Sequence, residues 1–153
     1  MLVEKKIAEM GLRLPQPAEP VASYVPCTRD GHLLYVSGHG PFDGENAVFV
    51  GRVGAELTEA EGYEAAKCCA LALLATLKAE IGNLDRVERI VKVLGFVSSA
   101  NGFDRQPWVV NGASDLFVDL YGERGRHART AVGTSQLPLN IPVEIEMIVR
   151  VSA

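Results

Sequence analysis

The chain has 153 residues, of which 48% are hydrophobic and 22% charged. That composition suits one globular domain whose core is large enough to fold without disulfides or a structural metal. The formal charge of −4 and a pI of about 5.4 exclude a global basic field that would gather nucleic acid or anionic lipid. Cys27, Cys68 and Cys69 make an odd count, which does not read as a disulfide framework. Cys68 and Cys69 are neighbours in a helical segment, so their side chains point about 100° apart and cannot easily share a metal. Free thiols in a reducing compartment are expected, with no metal and no cofactor. Glu4-Lys5-Lys6 is not followed by the long apolar stretch of a secretory leader. No apolar run approaches the ~20 residues of a membrane span. A cytoplasmic protein with no membrane partner is the expectation.

In chain order, Leu2 to Met10 carries an amphipathic pattern, with Leu2, Val3, Ile7 and Met10 apolar, and Gly11 is a natural stop. This predicts a short N-terminal helical extension over residues 1–20 on a single domain spanning 1–153. Leu14 to Pro20 holds three prolines and reads as extended or irregular. Two strands follow, near Tyr24–Thr28 and His32–Ser37, with Arg29-Asp30-Gly31 as the turn. Ser37 to Pro41 reads as a loop, and Asn46 to Val50 as a possible short strand. Thr58 and Glu61 form a capping box at the head of a long helix. Its apolar positions Ala66, Cys69, Ala70, Leu73, Leu77 and Ile81 keep helical spacing up to Gly82.

Ile90–Val97 reads as a strand, Ser98–Gly102 as a loop, and Gln106–Tyr121 as a second helix stopped by Gly122. Two strands close the chain, near Arg129–Ser135 and Val143–Val151. In the last, Val143, Ile145, Met147, Val149 and Val151 point one way, and Glu144, Glu146, Ile148 and Arg150 the other. The order predicts an α+β fold: a mixed sheet with two long helices packed on one face. The other face is neither polar nor apolar. It is either solvated or closed against further copies of the chain around a partly polar interior.

Phosphate loops, dinucleotide fingerprints, zinc-protease helices and nucleophile elbows are all absent. What remains is a set of polar residues at strand ends and turns. Arg129 opens a strand that is otherwise apolar or small. It is either a surface arginine or a fork of donors for a carboxylate. Glu144 lies mid-strand, where its charge must meet a cation or water. It serves as a structural partner or as a catalyst. His39, between Gly38 and Gly40, is either solvated or close to a ligand that the glycines allow to approach.

The run Arg129-Thr130-Ala131-Val132-Gly133-Thr134-Ser135-Gln136-Leu137-Pro138, then Pro142-Val143-Glu144-Ile145-Glu146, resembles the C-terminal signature of the RidA/YjgF (Rid) family. Tyr24 ahead of Leu34-Tyr35-Val36-Ser37-Gly38 resembles that family's tyrosine and the strand ending in Ser-Gly. Val91–Val97 with Asn101 and Phe103 is similar to its central strand and Asn-x-Phe loop. The four pieces stand in the family's order from Tyr24 to Val151. The N-terminal extension and the longer 42–56 segment are similar to a longer RidA-like (endoribonuclease L-PSP-like) subgroup.

The resemblance implies a chorismate-mutase-like fold assembled as a homotrimer with clefts between subunits. It also implies hydrolytic deamination of small reactive enamine or imine acids to 2-keto acids. Carried over by position, Arg129 would clamp the substrate carboxylate and Glu144 would orient the attacking water. Tyr24, Gly38, His39, Asn101 and the backbone N–H of Ala131 would line the pocket. Ala131 stands where the deaminase branch has a cysteine, and His39-Gly40 where it has glutamine and an aliphatic residue. Non-catalytic binding of a small carboxylate metabolite in a regulatory role is therefore the alternative. An endoribonuclease fits the acidic charge poorly.

Overall fold

The computed structural model describes residues 1–17, 19, 20 and 22–153. Its centre is a five-stranded sheet in the order β1-β2-β7-β5-β6. The strands are β1 (Cys27–Asp30), β2 (Leu33–His39), β5 (Val87–Ser98), β6 (Ala128–Thr134) and β7 (Val143–Val151), and a small hairpin pairs β3 (Phe42–Asp43) with β4 (Asn46–Ala47). Only β5 and β6 run parallel, as befits two strands joined through a helix. The alternation of β7 is realised in full. Val143, Ile145, Met147, Val149 and Val151 are buried, and the residues between them are half-buried or exposed.

Helices α2 (Glu59–Ile81) and α3 (Gln106–Tyr121) cover the buried face. The head of α2 is closed reciprocally: Thr58 N–H donates to Glu61 Oε2 at 2.7 Å, and Glu61 N–H donates to Thr58 Oγ1 at 3.1 Å. These bonds satisfy donors that a helix start leaves unpaired. Gly82, at φ 78°, ends the helix in the left-handed region that glycine tolerates. Small residues set the depth of α3. A Cβ on Gly112 would run into the Tyr63 carbonyl of α2, and one on Gly95 of β5 would lie 2.7 Å from Val110. Both glycines let α3 sit close to its neighbours.

The N-terminal helix α1 (Leu2–Glu9) buries Val3 and Ile7 in the same apolar cluster, worth roughly 1.5–3 kcal/mol per side chain. Its first turn is capped from a distance, since Leu2 and Val3 N–H donate to the Asp85 carboxylate at 2.7 and 2.9 Å. Those bonds hold the Asp85 carboxyl down at about 2. The described residues of the Leu14–Pro20 stretch carry no regular structure, and Ala18 lies outside the described residues.

Two expectations need correction. The first hairpin lies further along than predicted: Arg29 and Asp30 belong to β1, and the chain turns at Gly31, whose φ is 62°. The reason is the register with β7, which places Leu34 opposite Val149 and Val36 opposite Met147. That pairing buries Leu34 and Val36, and β1 follows. Second, Ser37–His39 is not loop but the end of β2, carried past a bulge between Val36 and His39.

The close α2–α3 contact yields a stability prediction. Gly112→Ala should cost about 1–3 kcal/mol through overpacking. Urea unfolding should show a lower midpoint at an unchanged slope.

Candidate functional site

Arg129 lies on the edge strand β6, opposite Val93 of β5. Val93 is fully buried beneath the helices, so Arg129 projects from the helix-covered face toward α3. There Nη1 donates to Asn111 Oδ1 at 2.7 Å and to Ser114 Oγ at 3.1 Å, and Nη2 donates to the Pro107 carbonyl at 3.2 Å. A guanidinium has five N–H donors. The one on Nε and the second on Nη2 have no partner among the described residues. All three acceptors are neutral, and no ion pair involves Arg129 among the described residues. Burial pulls its pKa down, with the Asp115 charge opposing, yet an arginine stays protonated under such a shift. The result is a half-buried, oriented cation with donors to spare. Ala131 follows on the same face and packs against the core.

Glu144 sits on the other side of the sheet. It pairs with Phe96 and borders a shallow pocket of about 160 Å³ with Gly38, Phe96 and Glu146. A Cβ on Gly38 would lie 2.8 Å from Glu144 Oε1, so glycine is what leaves room for the carboxylate. Burial raises the Glu144 pKa, and the Glu146 charge raises it further. Neither glutamate has a cationic partner among the described residues. Around them the open face mixes Tyr35, Lys92, Leu94 and Ile148.

The other expected site residues lie apart. Tyr24 is exposed just ahead of β1, the edge opposite β6 and roughly 19 Å away across four strand spacings. Asn101 lies past the far end of β6 from Arg129, beside an open cup of about 390 Å³ lined also by Arg52, Ser99, Thr134 and Ser135. His39 is only 4% exposed. Its Nδ1 is 2.6 Å from the Ser37 carbonyl and its Nε2 is 2.7 Å from Thr76 Oγ1. A carbonyl can only accept, so Nδ1 carries the proton and Nε2 accepts from Thr76. The ring thus points into the core under α2, away from the Gly38–Glu144 pocket.

One chain brings Gly38 to Glu144, and Arg129 beside Ala131, but it does not bring the two groups together. The β5 partners of Arg129 and Glu144, Val93 and Phe96, lie ~10 Å apart along the strand, and the two side chains leave opposite faces of the sheet. Asn111 and Ser114, the acceptors that orient Arg129, are absent from the sequence reading. Their signal was present in the spacing: two polar residues three apart, beside the buried stripe of α3 that carries Val110 and Phe117.

The three thiols are free, and burial pushes each pKa up, that of Cys27 to about 11. None is poised as a thiolate nucleophile. Among the described residues, no three His, Cys, Asp or Glu side chains gather for a metal. No helix among them is long and apolar enough to cross a membrane.

The mixed sheet with its helices on one face and an edge-strand arginine defines a chorismate-mutase-like α+β protein. The model of the family described as "YjgF/chorismate mutase-like, putative endoribonuclease" matches residues 4–149. The chain belongs to this RidA/YjgF family. It is 42% identical to Protein TCP17 of Trypanosoma cruzi over 151 residues, which cover 98% of this chain and 94% of the relative. The crystal structure of the Agrobacterium tumefaciens protein Atu1372 superposes with a TM-score of 0.93 at 42% identity, covering 99% of this chain and 93% of that one. RidA from an Antarctic Psychrobacter gives a TM-score of 0.60 at 26% identity, covering 89% of this chain and 94% of that one.

The buried histidine generates a pH prediction. Burial lowers the His39 pKa from 6.5, against the Ser37 carbonyl, which raises it. The unfolded chain therefore binds more protons below pH 6.5 than the folded one, and stability falls as the pH drops through that value. Thermal melts should show a falling midpoint below pH 6.5, and a shallower fall in His39→Gln.

Proposed function

We propose that the protein hydrolyses small enamine or imine acids to 2-keto acids and ammonia, with Arg129 holding the substrate carboxylate. The supporting observation is the Arg129 guanidinium, half-buried and oriented by three neutral acceptors while two of its N–H groups have no partner among the described residues. A carboxylate accepting those two donors side by side would neutralise it through charge-assisted hydrogen bonds.

Glu144 and Gly38 would complete the site from a second copy of the chain, because within one chain they face the other side of the sheet. In that composite cleft, a feature of the proposed homotrimer, the mixed open face would be covered rather than solvated. The Glu144 carboxylate would take a proton from water as its oxygen adds to the imine carbon. Glu144 would return that proton to the nitrogen of the carbinolamine so formed, and ammonia would leave as the carbinolamine hydroxyl gives its own proton to the freed carboxylate, leaving the keto group. A raised carboxyl pKa suits that exchange near neutral pH. Imine hydrolysis needs little more than orientation and one such shuttle.

Binding without turnover is the second reading, supported by Ala131 where the deaminase branch has a cysteine. RNA cleavage has little support. His39 is enclosed in the core, His127 is engaged with Ser114 and Gly125, and the net charge is −4.

The test is ammonia release from 2-iminopropionate, generated in situ by an amino-acid oxidase. The wild type should accelerate it, and Arg129→Ala should lose at least ~100-fold, as expected when two charge-assisted hydrogen bonds are removed. Light scattering should report the same trimer for both. No acceleration across a panel of amino acids, with a keto acid still bound through Arg129, would replace the deaminase by the binding module.

A further inference from the structure

Behind the Arg129 cradle runs a chain of hydrogen bonds that neither sequence motif nor family label accounts for. Ser114 Oγ, which accepts from Arg129 Nη1 at 3.1 Å, lies 2.9 Å from His127 Nε2. His127 Nδ1 lies 2.7 Å from the Gly125 carbonyl. Because the carbonyl only accepts, Nδ1 must carry the proton in the neutral ring, and Nε2 is an acceptor. The Ser114 hydroxyl then donates to His127, which turns its oxygen lone pairs toward Arg129. The imidazole is itself held by an edge-to-face contact with Phe117, 6.0 Å between ring centres.

We propose that His127, acting through Ser114, is the positioning residue of the Arg129 carboxylate clamp and makes its grip weaken in acid. The proposal rests on the carboxylate reading above and adds the element that regulates it. Once protonated, His127 has two donors and no acceptor. Ser114 can no longer donate to it, and two cations are left sharing one hydroxyl oxygen. The Ser114 oxygen must then accept from both, its own hydrogen turned out of the network, and repulsion between the two cations loosens that fixed point of Arg129 while Asn111 and Pro107 remain.

The charged surroundings favour the neutral ring. Burial lowers the His127 pKa against the Gly125 carbonyl, and the charge of Arg129, two residues further along the chain in β6, lowers it further. From α3, Asp115 already accepts from the Tyr63 hydroxyl at 2.7 Å. From β5, Lys92 lies opposite Ala128 and turns to Thr130 on the open face. In the preceding loop Glu123 and Arg126 pair with each other at 3.2 Å. No carboxylate among the described residues pairs with His127, so nothing charged compensates a proton on the ring.

The experiment measures pyruvate affinity by calorimetry against pH for the wild type, His127→Gln and His127→Phe, with Arg129→Ala as the reference. Pyruvate is the keto-acid product of 2-iminopropionate and stays ionised throughout. The wild type should bind about 5-fold more weakly below the His127 pKa than at pH 8, an effect on the scale of one net hydrogen bond. His127→Gln, which keeps an acceptor oxygen for Ser114, should bind well and lose the pH step. His127→Phe, which keeps the packing on Phe117 but has no acceptor, should bind weakly at every pH.

A phenylalanine variant with the wild-type affinity and pH profile overturns the proposal and leaves the carboxylate reading standing. So does tighter binding in acid, which would make the imidazolium a direct anion partner. A second arm follows the His127 ring by nitrogen NMR without ligand. The neutral ring should be the Nδ1–H tautomer, and its pKa should rise in Arg129→Gln. If the wild type binds no pyruvate, the carboxylate reading fails, and this titration decides the relay alone. Coupling to Arg129 keeps it, and an unchanged His127 titration overturns it.

Discussion

The parity of β7 governs the rest of the molecule. Every second residue from Val143 to Val151 is apolar and buried beneath α2 and α3, and the residues between them carry Glu144, Glu146 and Arg150 to the other face. A slip of one residue would put two carboxylates under the helices and five apolar side chains in water. Burying even one unpaired charge costs several kcal/mol, so the register admits no alternative. From it follow the partners of β2 and β5, the bulge that ends β2, and the face on which each polar residue emerges.

Helix depth is the second constraint, and it shapes the arginine cradle. Gly112 lets α3 approach the Tyr63 carbonyl, and Gly95 lets Val110 settle on the sheet. At that depth Asn111, Ser114 and the Pro107 carbonyl all reach the guanidinium of the edge strand. Packing of small residues thus does chemical work: it converts a flexible side chain into a fixed fork. The same closeness removes water from around the charge, which strengthens its demand for an anion.

Most elements can be read along the chain because their signals are local. The capping box at Thr58 and Glu61, the glycine after Ile81 and the alternation of β7 each depend on residues within a few positions of one another. The first hairpin is misread because Arg29-Asp30-Gly31 looks like a turn, and only pairing with β7 shows that the turn begins at Gly31. His39 is misread for a similar reason. Its glycine neighbours suggest a loop, whereas the bulge after Val36 rotates the ring toward Thr76, 37 residues away in sequence.

By itself the sequence determined the α+β order, the two helices, the buried face of the sheet and the residue types at Arg129, Gly38 and Glu144. Periodicity and capping are local properties, so they survive without a fold. Only the tertiary structure decided that Arg129 and Glu144 leave opposite faces of the sheet, that Asn111 and Ser114 hold the arginine, and that His39 is enclosed. Those facts depend on strand register and helix depth, which are set by contacts between residues distant in the chain, and no pattern within one segment encodes them.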